Sequence, residues 1–294
     1  MKTHIKIVSL SLLATLLFAP SVSAATQPNL GMADSFSILS GTYSNTTSGT
    51  TINGDLGYTT PPVTAPTVNG TTHVADATYN QAGIDQGTAL SALNSQPCTF
   101  NFAPGAIDLA TDTTHGVAGV YAPGIYCVSG AADIGGGGTI TLTGSGTYIF
   151  RMTGALTTTA NSVVAVAGGA SACNVWWTPG AATTLGANST FGGTVIDASG
   201  ITIGNVVVWS GRALAFGGTV STVSDTISSS SCAAVPSSST SSSASKTAAA
   251  SNKTPGLPNT GQSAVAHNNS IRNLALVSSL FATLLIVRQF AKRS

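Results

Sequence analysis

The chain has 294 residues, and only 6% of them are charged, against roughly 25% in ordinary soluble domains. Its formal charge of +1 hides a split, because the basic residues gather at the two ends. Between Ala25 and Cys232 two arginines, Arg151 and Arg212, stand against nine aspartates, a balance of −7 that excludes phosphate backbones as partners and so excludes nucleic-acid binding.

Residues 1–24 read as a secretory signal peptide. Lys2 and Lys6 form its basic start, Ile7 to Phe18 its apolar stretch, and Val22-Ser23-Ala24 its small-residue cleavage site. The mature domain then runs over 25–232. Phe36 to Leu39, Tyr43 and Thr50 to Gly57 are strand-like, until Pro61-Pro62 and Pro66 break any regular element. Ala75 to Asn94 changes to helical spacing, with Asp76 as N-cap, and Gly83 and Gly87 each weaken that helix by about 1 kcal/mol relative to Ala. Such a helix needs support from an apolar flank of the β-structure.

From Gly124 to Ile227 short Thr/Val/Ile/Ala runs are cut by Gly, Asn and Ser. Thr139 to Thr143 alternates strictly between polar and apolar, the mark of a strand with one wet and one dry face. Thr158 to Asn161, Thr184 to Asn188 and Thr202 to Asn205 each pair a Thr-bearing strand with a turn residue and a second strand. Both a β-solenoid and a β-sandwich fit that pattern. Residues 233–256 are Ser/Ala/Thr-rich and read as a stalk.

Cys98, Cys127, Cys173 and Cys232 make an even count in an exported chain. Four cysteines allow three connectivities, and Cys98–Cys127 with Cys173–Cys232 is preferred because each closes a contiguous block. No CxxC pair supports a zinc site. Asp108, Asp112 and Asp133 are the acids that could surround a structural calcium, which stays open. There is no G-x-S-x-G elbow, Walker loop or H-E-x-x-H. Neither an enzyme nor a cofactor is expected.

Residues 257–294 hold the most specific motif. Leu257-Pro258-Asn259-Thr260-Gly261 resembles the L-P-x-T-G sorting signal of sortase substrates, followed by an apolar run from Leu274 to Val287 and a basic end at Arg288, Lys292 and Arg293. The resemblance implies cleavage between Thr260 and Gly261 and transfer of Thr260 to cell-wall peptidoglycan. The apolar run makes transient contact with the membrane while the basic tail stays inside.

The mature domain resembles the ice-binding protein family of cold-adapted bacteria, fungi and algae. The segments that carry the resemblance include Asn53 to Gly57, Gly119 to Tyr126, Gly146 to Phe150, Ala172 to Trp177, Phe191 to Ile196 and Gly211 to Ala215, in family order. It implies an all-β fold: a discontinuous right-handed β-solenoid of triangular cross-section, with one long α-helix packed alongside. It also implies that a flat Thr/Ser face, rather than a pocket, binds an ice surface. The candidates are Thr157, Thr159, Thr184, Thr202, Thr219 and Ser221 on the strands, with Ser189 and Asn205 at turns. The family's T-[A/G]-x-[T/N] corner pattern is altered here to Ala187-Asn188-Ser189-Thr190 and Ile203-Gly204-Asn205-Val206. The expectation is therefore a secreted, wall-anchored surface protein that binds ice. The alternative is an adhesin on the same scaffold, taking a glycan or another cell-surface ligand.

Overall fold

The structure, a computed structural model, describes residues 24–229. The signal peptide through Ser23, Cys232, the stalk and the sorting motif lie outside the described residues. The described chain forms one 20-stranded curled sheet and one α-helix, α1 (Ala77–Asn94).

The strand pairings are parallel and fall into three ladders. The first joins Ile107–Asp108, Ala132–Ile134, Leu156–Thr158, Thr183–Leu185 and Ile201–Ile203, then passes to Val220 and Tyr43. The second joins Val120–Tyr121, Thr139–Thr143, Val163–Ala167, Thr190, Val208, Thr226–Ser228, Thr51–Asn53 and Thr67–Val68. The third runs from Phe100–Asn101 through Gly124–Val128, Tyr148–Met152 and Val175–Pro179 to Thr194, Arg212, Phe36, Asp55 and finally Thr72–Val74.

The third ladder explains α1. The chain leaves the stack at Val74 and rejoins it at Phe100, and these strands are the two ends of a nine-strand ladder about 38 Å long at the usual strand spacing. An 18-residue helix covers about 27 Å of that return. Asp76 caps it as expected, its carboxylate accepting from the Tyr79 N–H at 2.8 Å. Tyr79, Ala82, Ala89 and Leu93 bury one stripe against Phe36, Leu39, Ile125, Ile149, Trp176 and Leu214 of the third ladder. A bare Gly83 lets the helix approach, since a Cβ there would meet the Phe216 ring.

A second core fills the inside of the coils. Tyr126, Phe150 and Trp177 are register partners and stack ring on ring, at 5.2 and 4.3 Å between centroids. Trp177 and Trp209 satisfy their indole N–H groups on the carbonyls of Gly192 and Gly193. Parallel stacking turns a column of identical positions into a continuous apolar rod, which is why so charge-poor a chain can still bury a large core.

Cys98 and Cys127 are bonded as preferred, tying the end of the helical excursion to the third ladder. Closure of that loop contributes about 3 kcal/mol. Cys173 is also disulfide-bonded. The Arg151 guanidinium donates to the carbonyls of Asn94 and Gln96 at the end of α1, so a cation meets the negative helix terminus. The last strand of the second ladder, Thr67–Val68, is only two residues long, which keeps that edge short.

Candidate functional site

With α1 covering the third ladder, no other helix among the described residues packs on the outer surfaces of the first and second ladders. In the first, Thr157, Thr184, Thr202 and Ser221 are successive register partners and continue to Ser44. Thr157, Thr184 and Thr202 are exposed. None of these five hydroxyls hydrogen-bonds to another of the described residues, whereas the inward threonines beside them do. Thr158 accepts from Gly186 N–H, Thr183 donates to Asp197, and Thr222 donates to Asn45. Alternation thus commits the hydroxyls of Thr158, Thr183 and Thr222 to the fold and leaves those of their neighbours Thr157, Thr184 and Ser221 to water, while Thr202 lies between the buried Ile201 and Ile203.

The remaining four candidates do not join that row. Thr219 is exposed but sits two residues before Ser221, beside Thr42. Thr159 is bound at the corner, accepting from Gly137 N–H at 2.7 Å. Asn205 is an exposed corner residue whose carbonyl accepts from Asn188 N–H. Ser189 is buried rather than displayed: its hydroxyl reaches across to the Thr159 carbonyl, which holds one coil to the next.

The corner between the two free ladders is built from stacked left-handed residues, Asn161, Asn188, Val206 and Ser224, with φ of 64°, 57°, 60° and 56°. Asn and Ser tolerate that conformation better than a β-branched side chain. Backbone bonds from Asn161 to Ala187, Asn188 to Asn205 and Val206 to Val223 keep the corner aligned.

Past this corner lies a row that residue-type reasoning missed. Thr139, Val163, Thr190, Val208, Thr226, Thr51 and Thr67 are register partners along the outside of the second ladder. Thr139, Thr190, Val208 and Thr67 are exposed, Val208 at 50%. The parallel row two residues on holds Thr141, Ala165, Ser210, Ser228 and Asn53. Neither row contains a charged side chain. The first ladder, by contrast, ends in the register partners Asp133 and Asp108, where burial, and then the neighbouring Asp108 charge, push the Asp133 carboxyl up.

The acids considered for calcium do not converge. Asp112 turns to Thr114 and His115, away from the Asp108–Asp133 pair. Among the described residues no group of three His, Cys, Asp or Glu is placed to hold a metal ion. A groove of about 540 Å³ runs beside the end of α1, lined by Leu90, Asn94, Phe102, Arg151, Met152 and Thr178 among others. Phe102, the aromatic ring in its lining, is 5% exposed and offers no platform on which a sugar could stack.

Comparison with known proteins places these surfaces in a context. An ice-binding protein of Nostoc sp. (strain HG1) is 30% identical over 229 residues, 74% of this chain and 80% of that relative. One from Flavobacterium frigoris (strain PS1) is 30% identical over 202 residues, 64% and 71% of the two chains. The crystal structure of an ice-binding protein from the Antarctic ascomycete Antarctomyces psychrotrophicus matches with a TM-score of 0.61 at 28% identity, covering 69% of this chain and 98% of that one. The profile of the family described as Ice-binding-like matches residues 38–228, the helix and all three ladders included. The chain therefore belongs to the Ice-binding-like family, which is non-enzymatic.

Proposed function

We propose that this protein is a non-catalytic surface protein that adsorbs to ice through the outside of its second ladder. In this reading the three ladders are the sides of a right-handed triangular solenoid. The observation that carries it is the uncharged Thr/Val row from Thr139 to Thr67, held in unbroken register over seven strands. Strands about 4.8 Å apart repeat the row at a spacing comparable to a lattice repeat of ice. The methyl groups of Thr and Val have no hydrogen bond to offer, so water over them bonds to other water, while the Thr hydroxyls anchor that layer. A charged side chain would hold its own hydration shell and break the order. The rigid parallel scaffold means that little entropy is lost when the surface meets a crystal.

The sorting motif Leu257 to Gly261 supports a wall-anchored location, with sortase joining Thr260 to peptidoglycan and the stalk 233–256 holding the domain outside. A cell displaying many copies gains avidity for a crystal even if each contact is weak. Slow growth of ice from a dilute solution of the protein tests the central claim. The wild type is expected to enrich in the ice and Thr190→Tyr, which sets a bulky ring in the middle of the row, to be rejected into the liquid. Equal exclusion of both proteins would end the ice-binding reading.

A further inference from the structure

Arg151 is the register partner of Cys127 on the third ladder, so its side chain runs beside the Cys98–Cys127 bridge. Its Nη1 is spent on the Asn94 and Gln96 carbonyls, while Nη2 faces both sulfurs, 2.9 Å from Cys98 Sγ and 3.2 Å from Cys127 Sγ. A disulfide sulfur is a weak acceptor, so a guanidinium gains little from an intact bridge. A thiolate carries a full negative charge, and a neighbouring arginine favours it strongly. Arg212 meets the Asp34 carboxylate, but Arg151 has no carboxylate partner among the described residues. The cation is therefore placed where negative charge develops when the bridge opens.

The bridge is also within reach of solvent. Both cysteines are half-buried. Cys127, and not Cys98, lines the groove of about 540 Å³ beside the end of α1, where Leu90, Phe102 and Met152 form part of an apolar wall. A space of this size admits a small molecule. The sulfur nearer the guanidinium, by contrast, is that of Cys98. Attack from the groove thus falls on one cysteine, and the charge it releases falls on the other, beside the cation.

We propose that Cys98–Cys127 is an exchange-active disulfide, opened by a small dithiol that enters this groove, with Arg151 holding the departing thiolate. One thiolate of the dithiol attacks Cys127 Sγ, the S–S bond breaks, and its electron pair leaves on Cys98 Sγ beside Nη2. The second thiol of the reagent, once deprotonated, attacks its own sulfur in the mixed disulfide and expels Cys127 as a thiolate, again beside Nη2. The dithiol loses two electrons and two protons to become a disulfide, and the two cysteines gain both. Opening removes the covalent tie between the end of the helical excursion and the third ladder. This chemistry does not depend on ice binding.

The test incubates the oxidised full chain with dithiothreitol well below its melting temperature, quenches with iodoacetamide and maps the peptides by mass spectrometry. Cys98 and Cys127 are expected to become alkylated while the bridge of Cys173 stays closed. Arg151→Met keeps an apolar stem and removes the charge, and it is expected to slow the opening of Cys98–Cys127 about threefold or more. A merely structural Arg151 predicts the reverse, because its loss would loosen the end of α1 and speed the reaction. With glutathione, a monothiol, replacing dithiothreitol and iodoacetamide present throughout, the wild type is expected to carry glutathione on Cys127 and the alkyl group on Cys98. Opening of both bridges at one common rate, unchanged or faster opening in Arg151→Met, or glutathione on Cys98 each overturns the proposal.

Discussion

Gly83 and Gly87 sit one turn apart on α1, and the same substitution is expected to have opposite effects at the two. Gly87 faces solvent, and a Cβ added there has nothing within 4 Å. Gly87→Ala therefore gains the helix preference of Ala, about 1 kcal/mol, with no packing cost. Gly83 is buried, and its added Cβ would lie 2.4 Å from Cε2 of Phe216. That ring is held in place by Tyr79, 5.0 Å away between centroids. Overpacking of this kind costs about 1–3 kcal/mol, which outweighs the same helical gain. For a folded region of this size 1 kcal/mol shifts Tm by about 2–4 °C. Thermal unfolding followed by circular dichroism should show Gly87→Ala melting about 2–4 °C higher and Gly83→Ala melting lower by a similar amount. Phe216→Ala should remove most of the penalty at position 83, a coupling that a double-mutant cycle reads directly. If Gly83→Ala stabilises as much as Gly87→Ala, the helix is not seated on Phe216 and the argument for the glycine is wrong.

Two further outcomes are expected. Val206 is a β-branched residue at φ 60° and is 49% exposed, in a corner whose equivalent positions hold Asn161 and Asn188. Val206→Asn should stabilise by about 1 kcal/mol through relief of left-handed strain, and a lower denaturation midpoint would contradict the assignment. Asp225 is buried, with its carboxylate accepting from the N–H groups of Val207 and Val223. Burial nonetheless pushes its pKa up to about 6 from an ordinary 3.8. A raised carboxyl pKa means the folded state holds the proton more tightly than the unfolded one. Its contribution to stability is therefore greatest below about pH 4 and is lost as the pH rises to about 6. Carbon-13 NMR of the Asp225 carboxyl should titrate near pH 6, and a midpoint at or below 4 would show that the two N–H donors outweigh burial.

Much of the fold could be read from the chain because its signals are local. The alternation in Thr139 to Thr143 appears as a strand whose Ile140 and Leu142 are buried. The change to helical spacing after Ala75 appears as α1, with Asp76 as its cap. Contiguity was enough to favour Cys98–Cys127. Period, cap and turn chemistry depend on neighbours within a few residues, so one sequence suffices to find them.

Which threonines share a surface was decided elsewhere. Thr157, Thr184, Thr202 and Ser221 are 27, 18 and 19 residues apart, an irregular series that no sequence period reveals. They align because the lengths of the intervening coils and corners set the register. Ser189 looked like a displayed turn residue, and the stacking of one coil on the next turned its hydroxyl inward. The second ladder was harder still, because its row mixes Thr with Val and closes with Thr51 and Thr67 from the start of the domain. Those residues meet Thr226 only because α1 carries the chain back along the stack, so that the last coils close on the first. Local physics determined strands, helix, cap and a disulfide; the surface was decided by register between coils distant in sequence, which exists only once the core has packed.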